Sequence, residues 1–296
     1  MNTVKRGAAA AVCCVLLFMC TAVTAEGREL YRTGQVQVSQ TVYAKNSKKG
    51  TAKTLKKTAS KPSLSGKQVS ILGDSISTYY GYIPGNYGFF YPNDVLSDVN
   101  STWWMQVLVP TGASICANAS SSGSTVCGQS GDPTGNAGCS SQRIRNLTSF
   151  NGTAPDVVFV YMGMNDLLKD MPIGSNDGTR AVAEGDIENF TDAYTLMLDK
   201  IRFTYPNAQI YCVTFNNRCL LDKTPVCTYT NRLGLTSENY NAWLKVIAAN
   251  KGIPVIDVYS GCGITPATAQ ALTVDGIHPN AAGAAQIAAC IRSYFR

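Results

Sequence analysis

The sequence predicts an α/β protein with a parallel sheet of about five strands covered by helices on both faces. Two observations carry this. Five short apolar runs, at residues 67–73, 113–117, 156–162, 208–214 and 253–258, alternate with segments whose apolar residues recur at helical spacing. Strands that alternate with helices build right-handed βαβ units, which cover both faces of a parallel sheet. The second observation is size. A chain of 296 residues with 45% hydrophobic content can bury a full core, and without an internal repeat the natural reading is one domain plus a tail.

The elements follow in order. Val69, Ile71 and Leu72, bounded by Gly66 and Gly73, form the first strand, so Ser75 lies just past a strand end. Residues 79–92 are rich in Tyr, Phe, Gly and Pro and read as a loop near Ser75, because Gly and Pro break helix and strand alike. A helix capped near Ser101 is expected over 100–108. The second strand leads into a Ser-, Gly- and Cys-rich surface loop through Ser141, and a short helix is expected over 143–147. The third strand ends at Asn165. The stretch from there to Gly185 reads as loop, with Lys169 and Arg180 available for substrate or simply solvated. Phe190, Ala193, Tyr194, Met197, Leu198 and Ile201 form a core-facing stripe on a helix over 187–205. A fourth strand, a cysteine-containing loop over 216–235, a helix over 237–250, a fifth strand and a closing helix over 282–294 complete the domain.

The N-terminus has a different character. Lys5 and Arg6 precede an apolar run over residues 8–23, and Val23-Thr24-Ala25 closes it, which reads as a secretory signal of residues 1–25 cleaved near Ala25. A lipidation site at Cys20 or an uncleaved anchor are the alternatives. Bulky Phe18 and Met19 disfavour the first, and a run shorter than the ~20 residues of a membrane span disfavours the second. Residues 26–66 read as a basic, flexible linker, with nine Lys or Arg against two Glu before Pro62. With Lys5 and Arg6 they exceed the whole net charge of +6, so the domain at 67–296 is net acidic and nucleic acid is excluded as a partner. Three of the eleven cysteines leave with the leader. The remaining eight suggest disulfides in an exported protein, with Cys127–Cys139, Cys219–Cys227 and Cys262–Cys290 as expected pairs and Cys116 and Cys212 as buried thiols. Irregular cysteine spacing and a single histidine disfavour a zinc site.

The chemistry-bearing residues sit at the two ends of the domain. Asp74 and Ser75 could merely cap a helix. His278, however, is the only histidine and follows Asp275 by three positions in a tight Gly-containing turn. A carboxylate that orients an imidazole supplies the base that a serine hydroxyl needs, which makes Ser75, His278 and Asp275 a candidate triad. Gly123 and Asn165, both after strands, are turn residues that could also donate to a developing oxyanion.

Taken together, Gly73-Asp74-Ser75, Gly123, Gly163-x-Asn165-Asp166 and Asp275-x-x-His278 resemble the blocks of the GDSL, or SGNH, hydrolase family in order and spacing, with Ile76 where leucine is usual. The resemblance implies a flavodoxin-like three-layer α/β/α sandwich and a serine esterase that needs no cofactor or metal. It assigns Ser75 as nucleophile, His278 as base, Asp275 as its orienting acid, and the Ser75 N–H, Gly123 N–H and Asn165 amide as the oxyanion hole. Tyr79, Tyr80 and Tyr82 offer flat faces for stacking on sugar, and Asp166 joins them as a candidate substrate contact. The expected substrate is an acetylated glycan met outside the cytoplasm, with lipid, aryl ester or thioester as the other ester classes. A glycan-binding surface protein on a hydrolase scaffold is the non-enzymatic alternative.

Overall fold

A computed structural model describes residues 61–128 and 136–295. The expected export leader and most of the basic linker lie outside the described residues. The linker's last residues do not: Leu64 is buried in the core, and the Gly66 N–H donates to the Gly112 carbonyl.

Five strands form one parallel sheet: β1 (Gln68–Gly73), β2 (Ser114–Asn118), β3 (Val157–Tyr161), β4 (Gln209–Val213) and, after a small antiparallel hairpin of β5 (Cys219–Leu220) and β6 (Cys227–Thr228), β7 (Val255–Ile256). Their order is β2-β1-β3-β4-β7. The chain thus starts at β1, steps out to β2, and returns across β1 to β3. That reversal opens a crevice beyond the carboxyl ends of β1 and β3, where ligands bind in open α/β sheets.

The described residues also form eight α-helices: α1 (Trp103–Thr111), α2 (Ser141–Arg145), α3 (Met164–Leu168), α4 (Phe190–Thr204), α5 (Ser237–Asn250), α6 (Val258–Gly261), α7 (Ala269–Leu272) and α8 (Ala281–Tyr294). They sort into two packed groups. α1 lies against α8, which also contacts α6 and α7, while α4 contacts α2 and α5. Along a strand, side chains alternate between faces. Phe159 and Tyr161 of β3 meet Trp103 of α1, and Phe159 also meets Phe295 just after α8, so Val158 and Val160 point to the other layer. All five residues of β3 are buried, as a strand covered on both faces requires. The α/β sandwich expected from the sequence is the observed fold.

The differences are local. The first long helix starts at Trp103, capped by the Thr102 hydroxyl one residue past Ser101. The third strand stops at Tyr161 instead of reaching Asn165, α3 takes up Met164–Leu168, and the loop expected over 216–235 contains β5 and β6. The expected disulfides are not formed: all eight cysteines among the described residues are free. For Cys219 and Cys227 the hairpin register gives the reason. Cys219 pairs with Thr228 and Leu220 with Cys227, so the two sulfurs leave opposite faces, one buried and one exposed. Cys290 donates to the Asp257 carbonyl instead of meeting Cys262. Cys212 is a buried thiol as expected, whereas Cys116 is only half-buried, with its thiol on the Thr153 carbonyl at 3.3 Å.

Candidate active site

The site begins where β1 stops. Gly73 must be glycine, because a Cβ there would lie 2.6 Å from Ser120 Oγ and 2.7 Å from Ser77 Cβ. Asp74 then caps a single 3-10 turn over Ser75–Ser77, its Oδ1 accepting from the Ile76 N–H at 3.1 Å. The cap reading and the nucleophile reading of Asp74-Ser75 therefore describe the same turn: it caps, and it projects Ser75 Oγ at the strand end. Ser75 is the first residue of the turn, so its N–H has no partner within it.

The candidate base, His278, arrives from the other end of the chain. Thr273 and Pro279 bridge across a tight loop, and the Val274 N–H donates to the His278 carbonyl at 2.8 Å. Asp275 Oδ1 accepts the N–H groups of Ile277 and His278 at 3.0 and 2.9 Å, while Oδ2 lies 2.7 Å from His278 Nδ1. Nε2 of the same ring lies 2.8 Å from Ser75 Oγ. Partial burial works to raise the Asp275 carboxyl, but hydrogen bonds from the His278 ring and backbone outweigh it and bring the carboxyl down to about 2. An ionised carboxylate can only accept, so Nδ1 carries the proton and the Nε2 lone pair faces the serine hydroxyl. That is the polarity that removal of the serine proton requires.

Neighbours on two sides hold the base loop. Gly276 sits at φ +80°, and a Cβ there would lie 2.1 Å from the Cys219 carbonyl oxygen. The Cys219 N–H donates to the Gly276 carbonyl, Asn216 Nδ2 to the Ile277 carbonyl, and the Tyr91 hydroxyl to the Pro279 carbonyl. The hairpin of β5 and β6 thus buttresses one side of the loop and the aromatic segment the other.

The two oxyanion candidates are tied to this turn. The Ser121 N–H and Arg143 Nη2 both donate to the Gly73 carbonyl, at 3.2 and 2.7 Å. Gly123, at φ +74°, has open space where a side chain would begin, and among the described residues no acceptor takes its N–H. Asn165 enters from the start of α3 and donates to the Ser124 carbonyl at 3.0 Å, beside Gly123. Lys169 Nζ holds the Gly123 carbonyl at 2.7 Å, which gives that residue a place in the site.

The remaining candidates divide. Asp166 has no accessible surface; its carboxylate accepts the N–H groups of Val126 at 2.8 Å and Cys127 at 3.3 Å. Burial pushes the carboxyl up to about 6 against those bonds. Asp166 therefore shapes the loop that carries Gly123 and has no face for substrate, contrary to expectation. Tyr79 is half-buried and gives its hydroxyl to the Ser97 carbonyl. Tyr80 and Tyr82 are exposed, at 66% and 41%, and Tyr80 pairs with the exposed ring of Phe89 at 5.1 Å. Arg180 is engaged with Asp192.

Two residues not singled out in the sequence belong here. Arg143 is fully buried, with its guanidinium on the carbonyls of Gly73, Ala119 and Asn136, linking the ends of β1 and β2. Burial lowers it to about 10. Phe90 stacks on the His278 ring. A basic residue on a short helix and one aromatic among many carry no pattern that marks them, because only the tertiary fold brings them in.

A parallel α/β sandwich of this strand order, with hydroxyl, imidazole and carboxylate joined end to end beyond its strands, has the parts of a serine hydrolase. Comparison with known proteins agrees. The family model for GDSL-like lipase/acylhydrolase matches residues 67–228, more than half of the chain, and the chain belongs to that family. Among solved structures it is similar to a protein from Bacteroides uniformis described as a GDSL-like lipase, at 26% identity over 77% of this chain and 94% of that one, with a TM-score of 0.58. Two others share the fold. A protein from Lactobacillus plantarum has 24% identity and a TM-score of 0.58 over 78% of this chain and 96% of its own. A GDSL-like lipase structure from Bacteroides ovatus has 24% identity and a TM-score of 0.56 over 77% and 97%. No curated protein matches the chain.

Proposed function

We propose that the chain is an exported serine esterase that removes O-acetyl groups from a carbohydrate. The observation that carries the reading is the continuous contact from Asp275 through His278 to Ser75, 2.7 Å and 2.8 Å long. Ser75 Oγ attacks the ester carbonyl as its proton passes to His278 Nε2, and Asp275 holds the ring in the tautomer that can receive it. The negative charge on the carbonyl oxygen is met by the Ser75 N–H, the Gly123 N–H and the Asn165 amide, each donor worth roughly 3 kcal/mol in the transition state. The protonated imidazole then gives its proton to the leaving alkoxide. Water, activated by the same ring, attacks the acyl-enzyme and releases the acid.

The glycan assignment draws on the exposed rings of Tyr80, Tyr82 and Phe89, which suit stacking on sugar. The placement outside the cytoplasm draws on the apolar N-terminal run that follows Lys5 and Arg6.

Two measurements test the reading. A fluorophosphonate labels the wild type and not Ser75→Ala; labelling that survives the substitution removes Ser75 as nucleophile. Deacetylation of acetylated xylan or mannan is then compared with hydrolysis of long-chain nitrophenyl esters. A marked preference for long chains overturns the glycan substrate and leaves the esterase.

A further inference from the structure

The ring of Phe90 lies flat on the His278 imidazole, with centroids 3.6 Å apart and planes 9° from parallel. Its position is fixed from both catalytic ends. The Phe90 N–H donates to Thr78 Oγ1 at 2.9 Å, and the Thr78 hydroxyl donates to the Ser75 carbonyl at 2.9 Å. One side chain therefore links the Phe90 backbone to the nucleophile turn. The next residue, Tyr91, is buried, meets Phe90 edge-on at 4.9 Å, and donates its hydroxyl to the Pro279 carbonyl at 2.6 Å, one residue past the base. The aromatic segment thus straps the start of the site to its end across nearly two hundred residues of sequence.

The stack answers a need that the in-plane bonds leave unmet. Bonds to Asp275 and Ser75 fix two points of the imidazole, but the ring can still tilt about the line that joins them. A flat surface on its face removes the tilt. The same surface is electron-rich, and the imidazole becomes a cation when it takes the Ser75 proton. A cation over an aromatic face is attracted more strongly than a neutral ring, so the contact strengthens as the reaction proceeds.

We propose that Phe90 is a positioning residue for the base, holding the His278 ring in the plane between Asp275 and Ser75 and stabilising the imidazolium that forms there. The proposal rests on the roles given above to Ser75 and His278. Phe90→Leu keeps an apolar side chain of similar size and loses the π face, whereas Phe90→Tyr keeps the face.

The test is kinetic and spectroscopic, on the full chain with a soluble nitrophenyl ester. In Phe90→Leu, kcat falls about ten-fold while KM stays within about two-fold, and Phe90→Tyr restores kcat to within about three-fold. Because His278 is the only histidine, a sample labelled at the histidine ring Cε1 gives a single imidazole signal by NMR. The ring-current displacement of that signal is lost in Phe90→Leu and kept in Phe90→Tyr, and the melting temperature of each variant shows that it is folded. A folded Phe90→Leu variant with wild-type kcat, a loss confined to KM, a Tyr variant as slow as the Leu variant, or a signal that does not move overturns the proposal. Failure of the underlying triad reads differently, as turnover and fluorophosphonate labelling that persist in Ser75→Ala.

Discussion

Asp275 accepts three hydrogen bonds from its own loop, two at Oδ1 from backbone N–H groups and one at Oδ2 from the His278 ring. Asn in its place keeps an acceptor for the backbone but offers no charge to the ring and can present an N–H to Nδ1. The ring then settles in the wrong tautomer, with its proton on Nε2 facing the serine. Asp275→Asn is expected to lower kcat by about four orders of magnitude with little change in melting temperature, measured by ester hydrolysis and thermal unfolding. Asn165→Ala removes one oxyanion donor and is expected to lower kcat by about 10²–10³ without weakening substrate binding in proportion. The residues behind both predictions were legible in the sequence. A lone histidine three positions after an aspartate, and an asparagine just after an apolar strand, bring their own local geometry. Asp166 was misread because nothing local distinguishes a carboxylate that faces substrate from one turned inward onto the N–H groups of Val126 and Cys127.

At the scale of elements, the site depends on turns that only glycine can make. Gly163 sits at φ +129° between β3 and α3, and a Cβ there would lie 2.6 Å from the Phe215 ring. Gly276 places the base loop against the hairpin, where a Cβ would strike the backbone oxygen of Cys219. A flexible side chain can yield, but a carbonyl in a paired strand cannot. Gly276→Ala is therefore expected to destabilise the fold by about 1–3 kcal/mol and to move the loop away from Ser75, lowering kcat together with the melting temperature. A variant with unchanged melting temperature and activity would show that the hairpin does not hold the loop. The elements that the sequence revealed are those long enough to show a period, such as α4 and α5. The hairpin was missed because strands of two residues have no alternation to read, and α3 because a five-residue helix shows little more than one turn.

For the molecule as a whole, length and alternation sufficed for the sandwich, because an α/β layer pattern is repeated along the entire domain. What neither reveals is the buried charge. Burial pushes the carboxyls of Asp74 and Asp166 up to about 6, with the Asp166 charge adding to the shift at Asp74, whereas hydrogen bonds from the base loop bring Asp275 down to about 2 despite its partial burial. The signs are opposite. The two raised groups hold a proton more tightly folded than unfolded, so between the ordinary value of 3.8 and about 6 the folded state binds more protons and stability declines as pH rises. Each is worth at most about 3 kcal/mol across that window, and the pair less than twice that, since part of one shift is the charge of the other. Asp275 contributes stability above 3.8 that is lost as pH falls toward about 2. Stability should therefore peak on the acid side of neutrality. The melting temperature is expected to rise by roughly 5–10 °C from about pH 7.5 to about pH 4.5 and to fall again below about pH 3.5. Asp74→Asn or Asp166→Asn should each flatten the upper slope and leave the lower one in place. A wild-type profile that falls steadily from neutrality downward would mean that these carboxyls stay ionised in the folded protein.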